Sequence, residues 1–535
     1  MQRGSLIRNA VTSYGARGAL AVSVFVLTPV LFRGLGVAAF GTWSVVFTFG
    51  TVFSLGELGF ARGITKVTAE LIGTRRDDEL ARTFRVAVAL LAGLGVLAAL
   101  SAAVVGFAAS GLAASGYESA FRWAMLVLAA ERLAYFPLSA CGATLAGYQR
   151  YDLLNAASIA NSLGFTAAAV AVIASGGGVL GVVIAWAGMH LASGVLQYLL
   201  LRSVNGGLTL RPRLGDATER RTVLAFSTFV LFAESMTFIG QRMDTLVIAA
   251  IRNAAAAGPY AAVLKLQTGV QSLTLPFVYL LMPMMSDLWA RGQVAAVRTR
   301  VALATRVTCQ LTLPVAAALA LFAGDVVHLW LGDGAPHTTS HILVVLMAAQ
   351  IPALTAAPAE QVLIGIGRVR PIGLLALVEG LTNLGVSVAL VQRYGAIGAA
   401  IGTLSTTAVL APIKLPLVAR ALEYPLHRLL RESVMPAIAA SLPALGVMVA
   451  VRLLLPEGAA RLGIGVSLGL ATALVVAIAA AGPGRLRARL GELHRRHGQE
   501  PRLEPALTSG DARASAVKRP NYTPLLADTS LERAT

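Results

Sequence analysis

Apolar residues along this chain gather into runs of about 20, separated by short polar breaks. The runs fall near 11–32, 40–61, 85–108, 121–147, 153–175, 178–201, 223–250, 258–285, 301–323, 341–366, 371–391, 395–418, 433–455 and 461–481. Each is long enough to cross about 30 Å of hydrocarbon as an α-helix. The period-two alternation of a membrane barrel strand is absent. The pattern predicts an all-α integral membrane fold with fourteen transmembrane helices. The stretch Thr28–Lys66 shows the unit. An apolar run ends at Phe32, a short outer link covers Arg33 to Phe40, and a second run ends at Gly59 before a basic cluster opened by Arg62 and Lys66. The first run carries Arg17 and is too long for the apolar region of a signal peptide, so it reads as an uncleaved helix.

The polar breaks differ in charge. With the N-terminus inside the cell, the inner breaks hold 23 Arg and Lys, and the outer ones hold five: Arg33, Arg122, Arg252, Arg393 and Arg461. Positive charge collects on the cytoplasmic side of membrane proteins. The asymmetry therefore predicts a multi-pass protein of the cell (inner) membrane with both termini cytoplasmic. The outer links leave no room for a domain; the longest runs from about Gly324 to His341. The inner loops near 62–84 and 202–222 are hairpin-sized. Beyond about residue 482 the chain turns basic, then rich in Ser, Thr, Pro and Ala. That tail reads as a short basic helix on the inner leaflet followed by a disordered segment to Thr535.

Composition agrees. The chain is 56% hydrophobic and 13% charged, with mean hydropathy +0.72. A soluble protein carries roughly a quarter charged residues. The net charge of +18 would suggest nucleic acid in a soluble chain. Its placement in the inner loops accounts for it here, so no nucleic-acid partner is expected. Cys141 and Cys309 both lie in apolar runs, and no disulfide framework or metal spacing is present. His494 and His497 flank Arg495 and Arg496 in the solvated tail. There is no GxxxxGK[ST] loop, hence no ATP drive in this chain and no cofactor expected.

An internal repeat is legible. Gly41 and Trp43 align with Gly258 and Tyr260 at an offset of 217 residues, and Gly178 and Gly181 align with Gly395 and Gly398 at the same offset. Arg85-Val-Ala-Val-Ala resembles Arg300-Val-Ala-Leu-Ala at an offset of 215. Six helices per copy is an even number, so the copies enter from the same side. Two parallel six-helix bundles result, with a transport site expected at their interface near mid-membrane. The divisions are 1–201 for the first lobe, 202–222 for a cytoplasmic linker, 223–418 for the second lobe, 433–481 for two further helices, and 482–535 for the tail.

Charges inside membrane helices cost roughly 2.5–3.5 kcal/mol each on insertion scales, so they face cavities or partners. The candidates for a substrate site in the cleft between the lobes are Arg17, Glu131, Arg132, Glu234, Arg242, Lys265 and Glu379. Asp244 and Glu360 are also intramembrane. Arginine suits an anionic head group because its planar fork donates two bonds at once. Internal pairing is the competing reading. Glu131 and Arg132 are adjacent, so on a helix they point about 100° apart and need different neighbours. Glu57 and Lys265 lie near predicted helix ends, where they can snorkel. Asp77, Asp78 and Glu79 read as a solvated network with the neighbouring arginines. Prolines at Pro29, Pro137, Pro276, Pro283, Pro352 and Pro358 read as structural kinks.

The hairpin FRGLGVAAFGTWSVVFTFGTVFSLGELGFARGITK resembles the first hairpin of Wzx-like polysaccharide flippases of the multidrug/oligosaccharidyl-lipid/polysaccharide superfamily. In the second half, Asp244-Thr-Leu-Val-Ile, Gly258-Pro-Tyr260 and Pro283-Met-Met-Ser286 before an Arg-rich loop agree, and the resemblance extends to about residue 480. It implies transport of a lipid-linked, O-antigen-type oligosaccharide on a polyprenyl diphosphate, from inner to outer leaflet, by alternating access of two bundles. It further implies that the basic cavity neutralises the diphosphate, that helices 13 and 14 guide the lipid tail, and that partners include membrane lipids and glycan polymerase or export machinery. A cation-coupled drug or metabolite exporter of the same superfamily is the alternative. Its mark is a cavity dominated by carboxylates, whereas this chain carries both signs. A membrane enzyme would need a sizeable outer loop bearing catalytic groups, and the sequence has none.

Overall fold

A membrane helix must satisfy its polar side chains internally. The helix Val37–Gly73 does so with its own backbone. Thr42, Ser44, Thr48, Thr51 and Ser54 each donate to the carbonyl four residues earlier, at 2.8–3.1 Å. This lets a hydroxyl-rich segment run through the apolar interior. In the computed structural model, which describes Gly18 and residues 22–217, 219–221, 223 and 243–481, the elements in chain order are α1 (Val22–Leu35), α2 (Val37–Gly73), α3 (Asp77–Ala108), α4 (Glu118–Gly147), α5 (Tyr151–Ala174), α6 (Val179–Val204), α7 (Asp244–Ile251), α8 (Ala254–Ala290), α9 (Val294–Leu321), α10 (Ala323–Leu331), α11 (Thr338–Gly365), α12 (Val369–Tyr394), α13 (Ala396–Ala421), α14 (Leu426–Leu454) and α15 (Ala459–Ala481). Twelve of these are long and apolar enough to cross a membrane. They match twelve of the fourteen predicted runs. The other two runs, 11–32 and 223–250, are described only in part, as α1 and α7. The predicted tail lies outside the described residues.

The helices are longer than the apolar runs. The expected outer link Arg33–Phe40 shrinks to Gly36, whose φ of 80° turns the chain between α1 and α2. The expected inner loop 62–84 is mostly helix, broken only at residues 74–76. At 1.5 Å per residue the 37-residue α2 spans about 56 Å, so its basic end continues as helix beyond the hydrocarbon. A run of hydropathy sees only the part in lipid. Asp77, Asp78 and Glu79 occupy the first turn of α3, where carboxylates favour the helix dipole. Exposed Arg76 pairs with Glu79 at 3.4 Å.

Packing repeats between the two parts of the chain. In the first set, α4 packs on α2, α3 and α6, and α5 on α6. In the second set, α11 packs on α8, α9 and α13, and α12 on α13. The turns at the polar ends repeat as well. Arg75 has φ 57°, and Gly292, 217 residues later, has φ 70°. Each is followed by an N–H that bonds the carbonyl five residues back: Arg76 to Leu71, and Gln293 to Leu288, both at 3.0 Å. Lone left-handed residues of this kind close helix C-termini. The two sets meet where α2 crosses α8. There the backbone of Gly258 is so close to Val37 and Gly41 that an added Cβ would sit 2.9 Å from the Val37 carbonyl oxygen. A Cβ on Gly41 would collide with Ala254. The two glycines related by the 217-residue offset thus face each other.

The core follows this geometry. Toward the rim that holds Gly36, one apolar cluster takes residues from both sets, among them Phe40, Phe121, Val183, Tyr260, Leu343 and Phe322. Toward the opposite rim, which carries most of the arginines, the core splits. One cluster around Leu71, Leu80, Phe84 and Leu145 belongs to the first set. Another around Met285, Val301, Leu363 and Val418 belongs to the second. α14 packs on α9. α15 is tied to α10 by Arg461, which reaches buried Asp325 at 2.8 Å while the Gly458 N–H donates to the same carboxylate at 2.9 Å.

Candidate functional site

In the first set, a charged network sits at the middle of α4. Arg132 is 1% exposed and so is Glu131. The Arg132 guanidinium donates to Ser54 Oγ of α2 at 2.6 Å, contacts Glu131 at 2.7 Å and lies 4.0 Å from Glu57 of α2. The other Glu131 oxygen meets His190 Nδ1 of α6 at 2.6 Å. The imidazole lies between two rings, 3.8 Å from Tyr135 and 5.4 Å from Trp186, nearly parallel to both. Arg132 also stands over Trp186 and Phe136, at 5.5 and 5.7 Å. Cation–π contacts of this sort gain strength when desolvated. The adjacency of Glu131 and Arg132 does not keep them apart, as expected from helix geometry. Both side chains bend into one network, because α2 and α6 bring complementary groups to the same spot. Glu57 is not at a helix end. The length of α2 places it well inside, beside Arg132.

Between the sets, Lys265 of α8 stands 5.1 Å from the centre of the Phe47 ring of α2. It borders a small cavity of 30 Å³ shared with Trp43, Ser44, Thr48 and Thr51 of α2 and Thr245 of α7. The α8 register puts it on the inter-set face rather than at an end. Aromatic rings connect this cavity to the network: Trp43 stacks on Phe47 at 5.4 Å, Phe47 meets Trp186 edge-on at 6.1 Å, and Trp186 stacks on His190.

In the second set, Glu379 of α12 pairs with Lys414 of α13 at 3.4 Å, and Glu360 of α11 reaches the same ammonium at 2.8 Å. The lysine is 8% exposed. α13 breaks into a 3-10 turn at Ala411–Ile413 just before it, which orients the side chain inward. Asp244, at the start of α7, is buried and accepts from the hydroxyls of Tyr260 at 2.6 Å and Thr403 at 2.9 Å.

Of the residues expected at the site, Glu131 and Arg132 come together within the first set. Lys265 lies in the inter-set cavity, and Glu379 joins a separate cluster in the second set. Arg17, Glu234 and Arg242 lie outside the described residues. His190 and Lys414 are additional. Each is a lone ionisable group within a predicted apolar run, the signal that singled out the others. Among the described residues no cluster of His, Cys, Asp and Glu could hold a metal ion.

A family model described as "Polysaccharide biosynthesis protein" matches residues 6–289. No curated protein sequence matches the chain significantly. The fold is similar to a solved structure of the lipid II flippase MurJ in an inward closed conformation: TM-score 0.70 at 12% identity, over 89% of this chain and 99% of that one. It is also similar to an inward-facing multidrug resistance transporter of the MATE family, itself of the MOP superfamily: TM-score 0.63 at 17% identity, over 76% of this chain and 98% of that one. These likenesses establish a shared fold.

Proposed function

The chain belongs to the polysaccharide biosynthesis protein family, and from that premise we propose that it flips a lipid-linked, polyprenyl-diphosphate oligosaccharide from the inner to the outer leaflet for surface polysaccharide assembly. The α2–α6 and α8–α13 sets act as two lobes that rock about their crossing at Gly41 and Gly258, and α14 and α15 stand outside the repeat. The observation that carries this reading is the divided core. One apolar cluster joins the sets at the Gly36 rim, and two separate clusters hold them at the basic rim. A molecule built so is closed at one face and parted at the other, as alternating access requires. The basic rim is cytoplasmic in this assignment, so the cleft receives substrate from the inner leaflet.

Lys265 is the substrate contact best placed in the described residues. Its ammonium faces the inter-set cavity among hydroxyls, where it can meet a phosphate oxygen, and Trp43 and Phe47 offer flat apolar faces to a sugar ring. Arg17, Glu234 and Arg242 complete the site in this proposal. Arg132, Glu131 and Glu379 act behind it, through their buried pairs. Purified protein in proteoliposomes, given a fluorescent polyprenyl-diphosphate oligosaccharide, tests the assignment. Lys265→Ala should reduce flipping about tenfold or more while inserting at normal levels. Unchanged flipping by that variant would remove Lys265 from the site.

A further inference from the structure

Two hydrogen bonds cross between α1 and α10 at the Gly36 rim, and each fills a gap in the other helix. Pro29 stands inside α1. Proline has no N–H, so the carbonyl four residues earlier, that of Phe25, loses its helical partner. The Trp330 indole N–H of α10 takes that place at 2.8 Å, and its ring stacks on Phe25 at 5.4 Å. Phe25 lies eleven residues before Gly36, about 16 Å along α1. An unmet carbonyl at such a depth in a membrane protein is costly. The return bond runs the other way. α10 ends at Leu331, and the φ of 86° at Gly332 turns the chain off the helix. The Leu329 carbonyl is therefore among the free acceptors of a helix C-terminus. The Arg33 guanidinium of α1 donates to it at 2.5 Å. Gly332 leaves room for the arginine: a Cβ there would stand 3.2 Å from Arg33 Nε.

The two helices are seated on different parts of the molecule. A Cβ on Gly34 would collide with Ile173 of α5, and Phe32 meets Phe40 of α2 edge-on at 5.1 Å, so this end of α1 rests on the first set. α10 packs on α9 and α11 of the second set and is tied to α15 through Asp325. A cavity of 630 Å³, bordered by Phe32, Arg33, His328 and Asp333 among others, opens beside the contact.

We propose that Phe25, Pro29 and Arg33 of α1 and Leu329 and Trp330 of α10 form a releasable latch that holds the sets together at the Gly36 rim, with Pro29 as the residue that makes it conditional. This rests on the transporter reading above, in which that rim is the outer face, and assigns what keeps the face shut. In an unbroken helix the Phe25 carbonyl would be satisfied in every state, and docking of α10 would gain it nothing. With Pro29 in place, the carbonyl is paired by Trp330 only when the rim is closed, so the bond acts on the closed state alone. Parting the sets gives up both bonds and the ring stack together, and water entering from the cavity beside them takes over the freed carbonyls. Arg33 and Trp330 are thus positioning residues for the gate rather than contacts to substrate.

The test uses full-length protein in lipid nanodiscs, with Cys141 and Cys309 changed to alanine and spin labels at Ser115→Cys, between α3 and α4, and Tyr394→Cys, at the end of α12, both exposed. Trp330→Phe keeps a ring to stack and removes the N–H. It should raise the ratio of long to short label separations about tenfold, equivalent to about 1.4 kcal/mol. Arg33→Leu should shift the ratio the same way, and Arg33→Lys, which still donates, should shift it less. In Pro29→Ala, residue 29 regains its N–H and Phe25 its helical partner, so adding Trp330→Phe should then change the ratio by less than about twofold. A ratio indifferent to Trp330→Phe overturns the latch, and so does an undiminished tenfold effect in the Pro29→Ala background, which would make Trp330 a packing residue only. A second measurement needs no weakened variant. In proteoliposomes, a reducible cross-link between Phe25→Cys and Trp330→Cys should slow flipping about tenfold or more, with recovery on reduction. Flipping at the unlinked rate with the cross-link in place overturns the proposal. Label separations that behave as expected in a protein that flips no polyprenyl-linked glycan would instead refute the substrate reading and leave the latch standing.

Discussion

The contact between Gly41 and Gly258 gives the sharpest test of how the two sets move. Gly41→Leu places a side chain where Ala254 of α8 already lies. Gly258 is no more tolerant, with backbone of α2 on the other side. Backbone cannot yield as a side-chain tip can, so the helices must separate at the Gly36 rim. Overpacking a tight contact costs about 1–3 kcal/mol. The gain in helix propensity from replacing glycine, about 0.8 kcal/mol, applies in every conformation where α2 is helical and cancels. A penalty of about 2 kcal/mol confined to the state closed at this rim shifts its ratio to the alternative by about 30-fold. The assay is double electron–electron resonance with labels on the basic rim, at Asp78→Cys in the first turn of α3 and Arg370→Cys on α12, both exposed, after the buried Cys141 and Cys309 are changed to alanine. The substitution should convert a long label separation into a shorter one. A distance distribution unchanged by Gly41→Leu, in protein of normal melting temperature, would refute the idea that this crossing is the closing contact.

Three further outcomes follow from side-chain pairs. Arg132→Ala leaves Glu57 and Glu131 uncompensated and should cost about 3–5 kcal/mol, seen as a lower melting temperature, with part recovered in Arg132→Ala/Glu131→Gln. Asp325→Asn loosens Arg461 and the Gly458 N–H from α10 and should cost about 1–3 kcal/mol, with faster proteolysis in the link before α15. In the turn between α13 and α14, burial, aided by the hydroxyl's 2.6 Å bond to Glu432, pushes Tyr424 up to about 12. The folded state then keeps a proton that the unfolded chain loses above about 10. Its contribution is complete below that pH and fades as pH rises from about 10 to 12; the melting temperature of Tyr424→Phe should fall less steeply across that window.

Much of the fold was legible because the bilayer imposes one length on every span. Helix ends were not, because hydropathy marks where lipid stops and not where the helix does; α2 and α3 run on as polar helix around a three-residue turn. The 217-residue offset was readable at Gly41 and Gly258, yet that these glycines touch each other needed the tertiary arrangement. At the candidate site, intramembrane charge pointed to Glu131, Arg132, Lys265 and Glu379. It did not reveal which would be neighbours. Glu131 and Arg132 are drawn together by Ser54, Glu57 and His190 from other helices, and no spacing within α4 contains that information. Lys414 sits near the end of an apolar run, where a lysine reads as interfacial; two carboxylates from α11 and α12 give it an interior role.

The split of the core has a consequence for how salt acts on this molecule. At the Gly36 rim the sets are held by contact between apolar surfaces, which ions at moderate concentration leave nearly untouched. At the other rim the ends that must approach carry exposed arginines on both sides, among them Arg75 and Arg82 on the first set and Arg291 and Arg370 on the second. Their repulsion reaches about one Debye length, close to 30 Å at 10 mM ionic strength and 8 Å at 150 mM. The two faces of one rocking motion therefore answer to different solvents, and dilution alone biases the molecule toward keeping its basic face apart.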